Sequence, residues 1–113
     1  MSHYRVSILS SARRDINSAV AYIVETLQNP TAAEALLNEI DNKIDKLKNG
    51  VWKGVPLKNH PSGLFEDIDM NWFPVKNHYL FFRVDEAEKA ILIYYFTHKR
   101  QGLQHILSVE DSR

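Results

Sequence analysis

Cysteine is absent from the 113-residue chain, which excludes disulfide bonds and metal sites built on thiolates. No stretch approaches the roughly 20 apolar residues that a membrane-spanning helix needs, and the start of the chain lacks the apolar run of a signal peptide. Charge of one sign is not in excess either, because 14 acidic residues balance 14 basic ones. Net charge therefore gives no argument for a general nucleic-acid binder, and we expect a cytoplasmic protein that does not contact a membrane.

The sequence also offers little to hold a metal or a cofactor. A glycine-rich phosphate loop and a serine–histidine nucleophile motif are both missing. The five histidines are scattered without a short ligand spacing, at His3, His60, His78, His98 and His105. We expect neither a metal nor a cofactor.

What is present suits one globular domain. Hydrophobic residues make up 44% of the chain and charged residues 25%, which is ordinary for a folded protein. A chain of this length can bury one hydrophobic core and is too short for two domains. Since repeats and low-complexity segments are missing as well, we predict a single domain over residues 1–113.

The first half of the chain predicts a strand followed by two helices. Residues 3–9 alternate apolar and polar side chains, as a strand does, and Ser10-Ser11 offers an N-cap for a helix. Asn29-Pro30 would end that helix and start a second one, which Asn49-Gly50 would end. The apolar stripes at helical spacing are Ile16, Ala19, Val20, Ile23 and Leu27, then Ala33, Leu37, Ile40, Ile44 and Leu47. Two such helices with a short link predict an antiparallel hairpin.

The second half predicts three strands. Glycines and prolines make residues 51–63 loop-like, and a strand pattern begins at Leu64. Pro74 would limit this strand to an edge of the sheet or end its regular pairing. Residues 79–84 and 90–96 read as strands joined by a hairpin loop, and the nearly continuous apolar character of the last one predicts burial on both faces. Residues 103–107 would add a short helix or strand. The fold class is therefore α+β, with a helical hairpin packed on an antiparallel sheet in the order β-α-α-β-β-β.

Several segments within this order of elements are informative together, namely Tyr4-Arg5-Val6, residues 11–16, Tyr22-Ile23, residues 27–30, Ala32-Ala33, residues 75–86 and residues 97–101. These segments and the order of elements resemble the toxins of the RelE/ParE superfamily. The resemblance covers most of the chain, from Tyr4 to Leu107. It implies the toxin of a type II toxin–antitoxin module, neutralised by a cognate antitoxin in a heterotetramer or larger complex.

Two targets follow from the resemblance, because ParE-like members poison DNA gyrase and RelE-like members cut messenger RNA on the ribosome without a metal. Such cleavage needs an acid, a base and cations for the phosphate. His98 would be the acid or base beside Arg100, and Arg83 would hold a phosphate. The lysines that would contact RNA or another target are Lys53, Lys58, Lys76 and Lys99.

The sequence departs from the ribonuclease pattern at Tyr79, where active members usually carry an arginine, and at His98-Lys99, where they tend to end in tyrosine. By strand register, Arg83 shares a face with Tyr79 and is displaced along it. Our first hypothesis is therefore a ParE-like inhibitor of DNA gyrase. The second is a ribosome-dependent endoribonuclease, and the third is a non-toxic member that only binds its antitoxin. Under the first or third, His98 would be a structural or surface residue.

Overall fold

A helical layer covers one face of a mixed sheet in the computed structural model, which describes residues 3–101. The strands in this part of the chain are β1 (Arg5–Ile8), β2 (Val55–Pro56), β3 (Asn71–Val75), β4 (His78–Asp85) and β5 (Ala90–His98). The helices are α1 (Ser10–Ala21), a π-helical turn (Tyr22–Thr26), α2 (Pro30–Lys48) and two short 3-10 turns (Leu57–Asn59 and Lys99–Gln101). The α+β class is thereby confirmed, and residues 103–107 lie outside the described part.

The sheet differs from the expected one in the direction of a single strand. Its order over the described residues is β1-β5-β4-β3-β2, and the neighbours from β2 to β5 are antiparallel, whereas β1 pairs with β5 in parallel from Arg5↔Ala90 to Ile8↔Ile93. The expectation of a purely antiparallel sheet was wrong at β1. The four residues of β1 do not by themselves indicate a parallel or an antiparallel pairing. A tight turn after β1 would impose an antiparallel pairing, but two helices follow it instead.

The predicted ends of α2 are confirmed. Asn29 is its N-cap and accepts a hydrogen bond from the Ala32 N–H at 3.0 Å, while Pro30 occupies the first helical position. Past the other end, Gly50 adopts the left-handed conformation with a φ of 70°. The predicted serine cap of α1 was wrong, because the N-cap is Leu9 and the Ser11 hydroxyl donates instead to the Tyr94 carbonyl on β5, at 2.8 Å.

The apolar stripe of α2 is shifted by one residue at one point. Leu36 is 2% exposed and belongs to the core, whereas Leu37 is 40% exposed. Both leucines have a helical spacing from Ala33, at three and four residues, and the pattern alone does not choose between them. In α1, Ile16 is buried as predicted, but Leu27 beyond the π-helical turn is exposed.

The segment before β3 was also assigned wrongly. Residues 64–67 form turns, β3 begins only at Asn71, and the presumed loop supplies the two-residue strand β2. Phe65 and Met70 are nevertheless buried, because the segment folds back over the sheet face that the helices leave open. Pro74 lies in β3 beyond the part that β2 pairs, as expected for a residue without an N–H.

Hydrophobic clusters lie on both faces of the sheet. The cluster under the helices includes Leu36, Ile40, Leu47, Phe73, Leu80, Phe82, Ile93 and Phe96. The cluster on the opposite face comprises Leu57, Phe65, Met70, Phe81 and Tyr95. Strand β5 contributes side chains to both clusters and lies between β1 and β4, so its predicted interior position is confirmed.

A bulge in β5 sets the register at its far end. Phe82 lies opposite Ile93, but Phe81 lies opposite Tyr95, so Tyr94 is the extra residue. Tyr94 and Tyr95 therefore both associate with the cluster on the face away from the helices. Within residues 3–101, no helix is long and apolar enough to cross a membrane.

Candidate functional site

A cleft of about 680 Å³ lies between the helical hairpin and the adjoining ends of β4 and β5. Its helical wall is mainly apolar and includes Ala19, Tyr22, Ile23, Leu27, Ala32, Ala35 and Leu36, with Asp15 and Ser18 as polar members. Its sheet end is mainly polar and includes Lys76, Asn77, His78, His98, Arg100 and Gln101. The volume lies in the range of ligand-binding pockets.

The polar end is built by a tight turn and by the end of the last strand. Lys76 adopts a left-handed conformation, with a φ of 54°, in the turn between β3 and β4. The carbonyl of Asn77 accepts a hydrogen bond from the Lys99 N–H at 2.8 Å, which ties this turn to the chain that leaves β5. His78 and His98 lie directly opposite each other on neighbouring strands.

His78 is a nearly buried histidine with an unsatisfied nitrogen. The residue is 9% exposed, and its ring stacks on Phe96 with centroids 4.6 Å apart. The ring also meets that of His98 edge-on at 4.9 Å. Its Nδ1 is buried and has no hydrogen-bond partner. Burial, and to a lesser extent the nearby His98, lower the pKa of His78 to about 4. At neutral pH the ring is therefore uncharged.

His98 is held by the turn that follows it. Its Nδ1 accepts a hydrogen bond from the Arg100 N–H at 3.0 Å, and its own backbone N–H donates to the Gln101 side-chain oxygen at 3.1 Å. Because Nδ1 is an acceptor here, the neutral ring carries its proton on Nε2. His98 can thus donate through Nε2 to a group in the cleft.

Of the candidate residues from the sequence, His98, Arg100 and Lys76 line the cleft together. Arg83 does not join them. It lies five residues beyond His78 on β4, roughly 16 Å along the strand. Its guanidinium lies 4.7 Å from the centre of the Tyr94 ring, and its Nε donates to the Asp69 carbonyl at 3.0 Å. Tyr94 packs with the cluster on the face away from the helices, so Arg83 also lies on that face, as its register predicted.

The remaining candidate lysines are spread over other surfaces. Lys99 lies over the Tyr79 ring, 5.7 Å from its centre, on the face away from the helices. Lys58 is exposed in the 3-10 turn that buries Leu57 against that same face. Together with Lys76 in the cleft and Lys53 elsewhere, they do not form one continuous binding surface.

Lys53 belongs to an ionic cluster instead. Its Nζ lies 2.6 Å from Oε2 of Glu86. The other carboxylate oxygen, Oε1, accepts hydrogen bonds from the Tyr4 hydroxyl at 2.7 Å and from Lys89 at 3.2 Å. Chiefly through the bond to Lys53, this cluster lowers the pKa of Glu86 to about 2, and the same bond raises the pKa of Lys53. The cluster joins the start of the chain to the β4–β5 loop, so its evident role is structural.

Sequence reasoning missed His78, Asn77 and Asp15. A count back from the β4–β5 loop, with Asp85 opposite Ala90, puts His78 opposite Thr97, and only the bulge at Tyr94 brings it opposite His98. Asp15 reaches the sheet from α1, where a carboxylate oxygen accepts a hydrogen bond from the Phe96 N–H at 3.3 Å. Among the described residues, no three His, Asp or Glu side chains are grouped so as to hold a metal ion.

Comparison with known proteins agrees with the resemblance seen in the sequence. The chain is similar in fold to the chromosomal ParDE toxin–antitoxin system of P. aeruginosa, with a TM-score of 0.62 and 17% identity over 85% of this chain and 96% of that one. It is also similar to the toxin–antitoxin complex RelBE2 from Mycobacterium tuberculosis, with a TM-score of 0.57 and 18% identity over 85% and 98% of the two chains. A search of curated proteins gave no match.

A family model provides the assignment that these distant structures do not. The model is that of the ParE toxin of the type II toxin–antitoxin system parDE, and it matches residues 6–103. Apart from Arg5, the first residue of β1, the match includes the strands and helices described above, and it includes both histidines of the cleft. The chain therefore belongs to the ParE toxin family of type II toxin–antitoxin systems.

Proposed function

We propose that the protein inhibits growth by binding DNA gyrase, as a ParE-like toxin, and that a cognate antitoxin neutralises it. Membership of the ParE toxin family supports the class of activity. The single observation that favours binding over RNA cleavage is the separation of Arg83 from His98. A cleavage site needs its acid or base and its phosphate-binding cation around one phosphate.

The separation comes from both distance and direction. Arg83 lies roughly 16 Å along β4 from the residue opposite His98. It is on the other face of the sheet, and it is engaged with Tyr94 and with the Asp69 carbonyl. The two side chains that the ribonuclease hypothesis paired do not meet at one phosphate.

The test is to induce the protein in growing cells and to follow DNA and protein synthesis separately by pulse labelling. Gyrase inhibition predicts that DNA synthesis falls first, with an SOS response, and that the purified protein inhibits supercoiling by gyrase in vitro. An early fall in translation with cut messenger RNA would refute the proposal. Growth without arrest would favour the non-toxic hypothesis instead.

A ribosome-dependent endoribonuclease is the second candidate, because His98, Arg100 and Lys76 do share a cleft. In that case the His98→Ala variant would abolish cleavage of messenger RNA on ribosomes, as mapped by primer extension. Full cleavage by this variant would discard His98 as the catalytic group. A Lys58→Ala variant serves as the control, since Lys58 is exposed outside the cleft.

We also propose that the protein works in the cytoplasm and is stored as a heterotetramer or larger complex with its antitoxin. The family assignment and the two similar toxin–antitoxin structures support an antitoxin partner. Co-expression with the product of the neighbouring reading frame, followed by analytical ultracentrifugation, would give the mass of the complex. A protein that remains alone in this experiment would contradict the proposal.

A further inference from the structure

The cleft joins an aliphatic wall to an end that carries cations and histidines. We infer that it binds a small amphiphilic carboxylate, an unbranched aliphatic acid whose head group lies among His78, His98 and Arg100 and whose hydrocarbon chain lies along the helical hairpin. The inference depends on neither the gyrase target nor the antitoxin. It gives the cleft, whose volume of about 680 Å³ suits a small molecule, a ligand of its own.

The helical wall favours one kind of ligand body. Its aliphatic residues are Ala19, Ile23, Leu27, Ala32, Ala35 and Leu36. Planar groups such as nucleobases bind by stacking on aromatic rings, but Tyr22 is the one aromatic residue of this wall, and Phe96 of the sheet is already stacked on His78. Aliphatic surfaces bind by hydrophobic contact, which needs no direction and grows with each CH₂ group. The wall therefore favours a hydrocarbon chain over a nucleotide.

The mouth of the cleft leaves apolar surface in contact with water. Tyr22 is 53% exposed and Leu27 is 55% exposed, and both line the cleft. A hydrocarbon chain lying against these two side chains would remove part of this surface from water, and the free energy gained grows with the area covered. The same contact gives the ligand its affinity and gives a longer chain the advantage over a shorter one.

The polar end favours a ligand with a single negative charge. Lys76 and Arg100 are its cations, and Asp15 on the helical wall is the one carboxylate among the described lining residues. The ion pairs within residues 3–101 both involve Glu86, so neither cation takes part in one. The lining thus has a surplus of one positive charge, not counting the histidines. A carboxylate balances this surplus, whereas a phosphate monoester, with a charge of about −1.5 to −2, would exceed it.

The histidines supply hydrogen-bond donors at the same end. His78 is nine-tenths buried, lines the cleft and has no hydrogen-bond partner at Nδ1. A buried nitrogen without a partner is more easily accommodated as a bare lone pair than as an N–H, so the proton belongs on Nε2. His98 carries its proton on Nε2 because its Nδ1 accepts the Arg100 N–H. Each ring therefore offers one N–H to a carboxylate oxygen.

The experiment measures binding of decanoate and octanoate to the full chain by isothermal titration calorimetry at neutral pH, below the concentrations at which these acids aggregate. Decanoate should bind one to one. Octanoate should bind about 15-fold more weakly, because each of the two missing CH₂ groups accounts for about fourfold. Decylammonium has the same chain with the opposite charge and should bind weaker than decanoate by about tenfold or more. No binding of decanoate, or equal binding of decylammonium, would overturn the inference.

Paired variants test whether the acid lies in the cleft. Arg100→Gln removes a cation of the polar end and should weaken binding of decanoate by about tenfold, whereas Lys58→Gln makes the same change outside the cleft and should stay within about twofold of the wild type. Ala35→Trp fills the wall at an exposed helical position and should prevent binding. Asn38→Trp puts the same side chain outside the cleft on the same helix and should not. Wild-type affinity in both Arg100→Gln and Ala35→Trp would overturn the site.

Nuclear magnetic resonance of the wild type gives a readout that does not depend on how well a cleft variant folds. The ring protons of His78 and His98, assigned with the variants His78→Gln and His98→Gln, should shift during a titration with decanoate. They should not shift during a titration with acetate at the same concentration, because acetate has the head group without the chain. Binding of decanoate that leaves both rings unchanged would place the ligand elsewhere and overturn the inference.

Vesicles distinguish a free acid from a lipid surface, since both present a negative head group on a hydrocarbon chain. The protein should remain in the supernatant when vesicles of phosphatidylglycerol and phosphatidylcholine are sedimented, because the cleft is inferred to take a single free chain. Sedimentation with these vesicles, without binding of decanoate, would identify a membrane surface as the ligand and overturn the inference.

Discussion

At the scale of single residues, His78 lowers the stability of the fold at acidic pH. Its pKa of about 4 lies below the ordinary value of 6.5, because burial and His98 disfavour the charged ring. The unfolded chain therefore takes up this proton first, and the folded state loses stability as the pH falls from about 6.5 towards 4. Above that window the ring is neutral in both states and makes no such contribution.

The His78→Phe variant should remove this loss. Phenylalanine keeps the stack on Phe96 and eliminates the unsatisfied Nδ1. We expect it to be more stable than the wild type at pH 5, by about 1 kcal/mol, and to gain less at pH 8. Urea unfolding at the two pH values measures the difference. If the stability of the two proteins depends on pH in the same way, the pKa of His78 is not lowered in the folded state.

Glu86 gives the opposite pH dependence. Its pKa of about 2 lies below the ordinary 4.5, because Lys53, Tyr4 and Lys89 all stabilise the charged form. Its contribution to stability is therefore complete above pH 4.5 and is lost as the pH falls towards 2. The Glu86→Gln variant should be less stable than the wild type at pH 7 and nearly equal to it at pH 2.5, as followed by thermal unfolding.

Glu88→Gln is the matched control for this prediction, because Glu88 is an exposed glutamate in the same loop. It should unfold like the wild type at both pH values. An equal effect of the two substitutions would mean that general charge, and not the cluster around Glu86, sets the pH dependence.

At the scale of elements, local chemistry predicted the two ends of α2 but not the cap of α1 or the start of β3. Asn29-Pro30 and Asn49-Gly50 predicted the ends of α2 correctly, because the caps there involve only neighbouring residues. At the start of α1, by contrast, the Ser11 hydroxyl bonds to the distant Tyr94 carbonyl. The choice between Leu36 and Leu37 depends on the packing of the whole layer. The predicted direction of β1 was wrong for a similar reason, because its partner strand β5 lies at the other end of the sequence.

The cap of α2 allows a test at this scale. Asn29→Ala removes the side-chain oxygen that accepts the Ala32 N–H, and we expect a loss of about 1 kcal/mol in the free energy of unfolding. Asn42→Ala makes the same change at an exposed position inside the helix, where alanine is the better helix former. It should leave stability unchanged or slightly higher. Chemical denaturation of both variants measures their free energies of unfolding. An equal loss of stability in the two variants would argue against a stabilising N-cap at Asn29.

At the scale of the whole molecule, the family was recognisable from the sequence, but the site was only partly so. His98 ends the last strand, Arg100 follows it in sequence, and both line the cleft. Arg83 was grouped with them by its chemistry, and the sheet puts it on the other face. His78 was missed because its place opposite His98 depends on one extra residue, Tyr94, in the partner strand.

Binding of the antitoxin should be visible in the stability of the whole chain. A partner that binds only the folded state, at about 100 times its dissociation constant, stabilises that state by about 2.7 kcal/mol. For a domain of about 100 residues this corresponds to a rise in Tm of roughly 10 °C. Differential scanning fluorimetry with and without the antitoxin measures the rise. A Tm that does not change at saturating partner would contradict a complex with the folded toxin.

The parallel pairing of β1 with β5 has a consequence for the order of events during synthesis. The ribosome makes β1 first, but the strand that β1 needs, Ala90–His98, is made after all the others described here. The helices can form from local contacts while the chain grows, whereas the sheet has to wait for its most distant pair. The cleft also forms only at that stage, because its two sides come from residues 15–36 and 76–101. A nascent chain therefore has no complete cleft until β5 has left the ribosome, and a molecule that needs both sides of the cleft can bind only after that point.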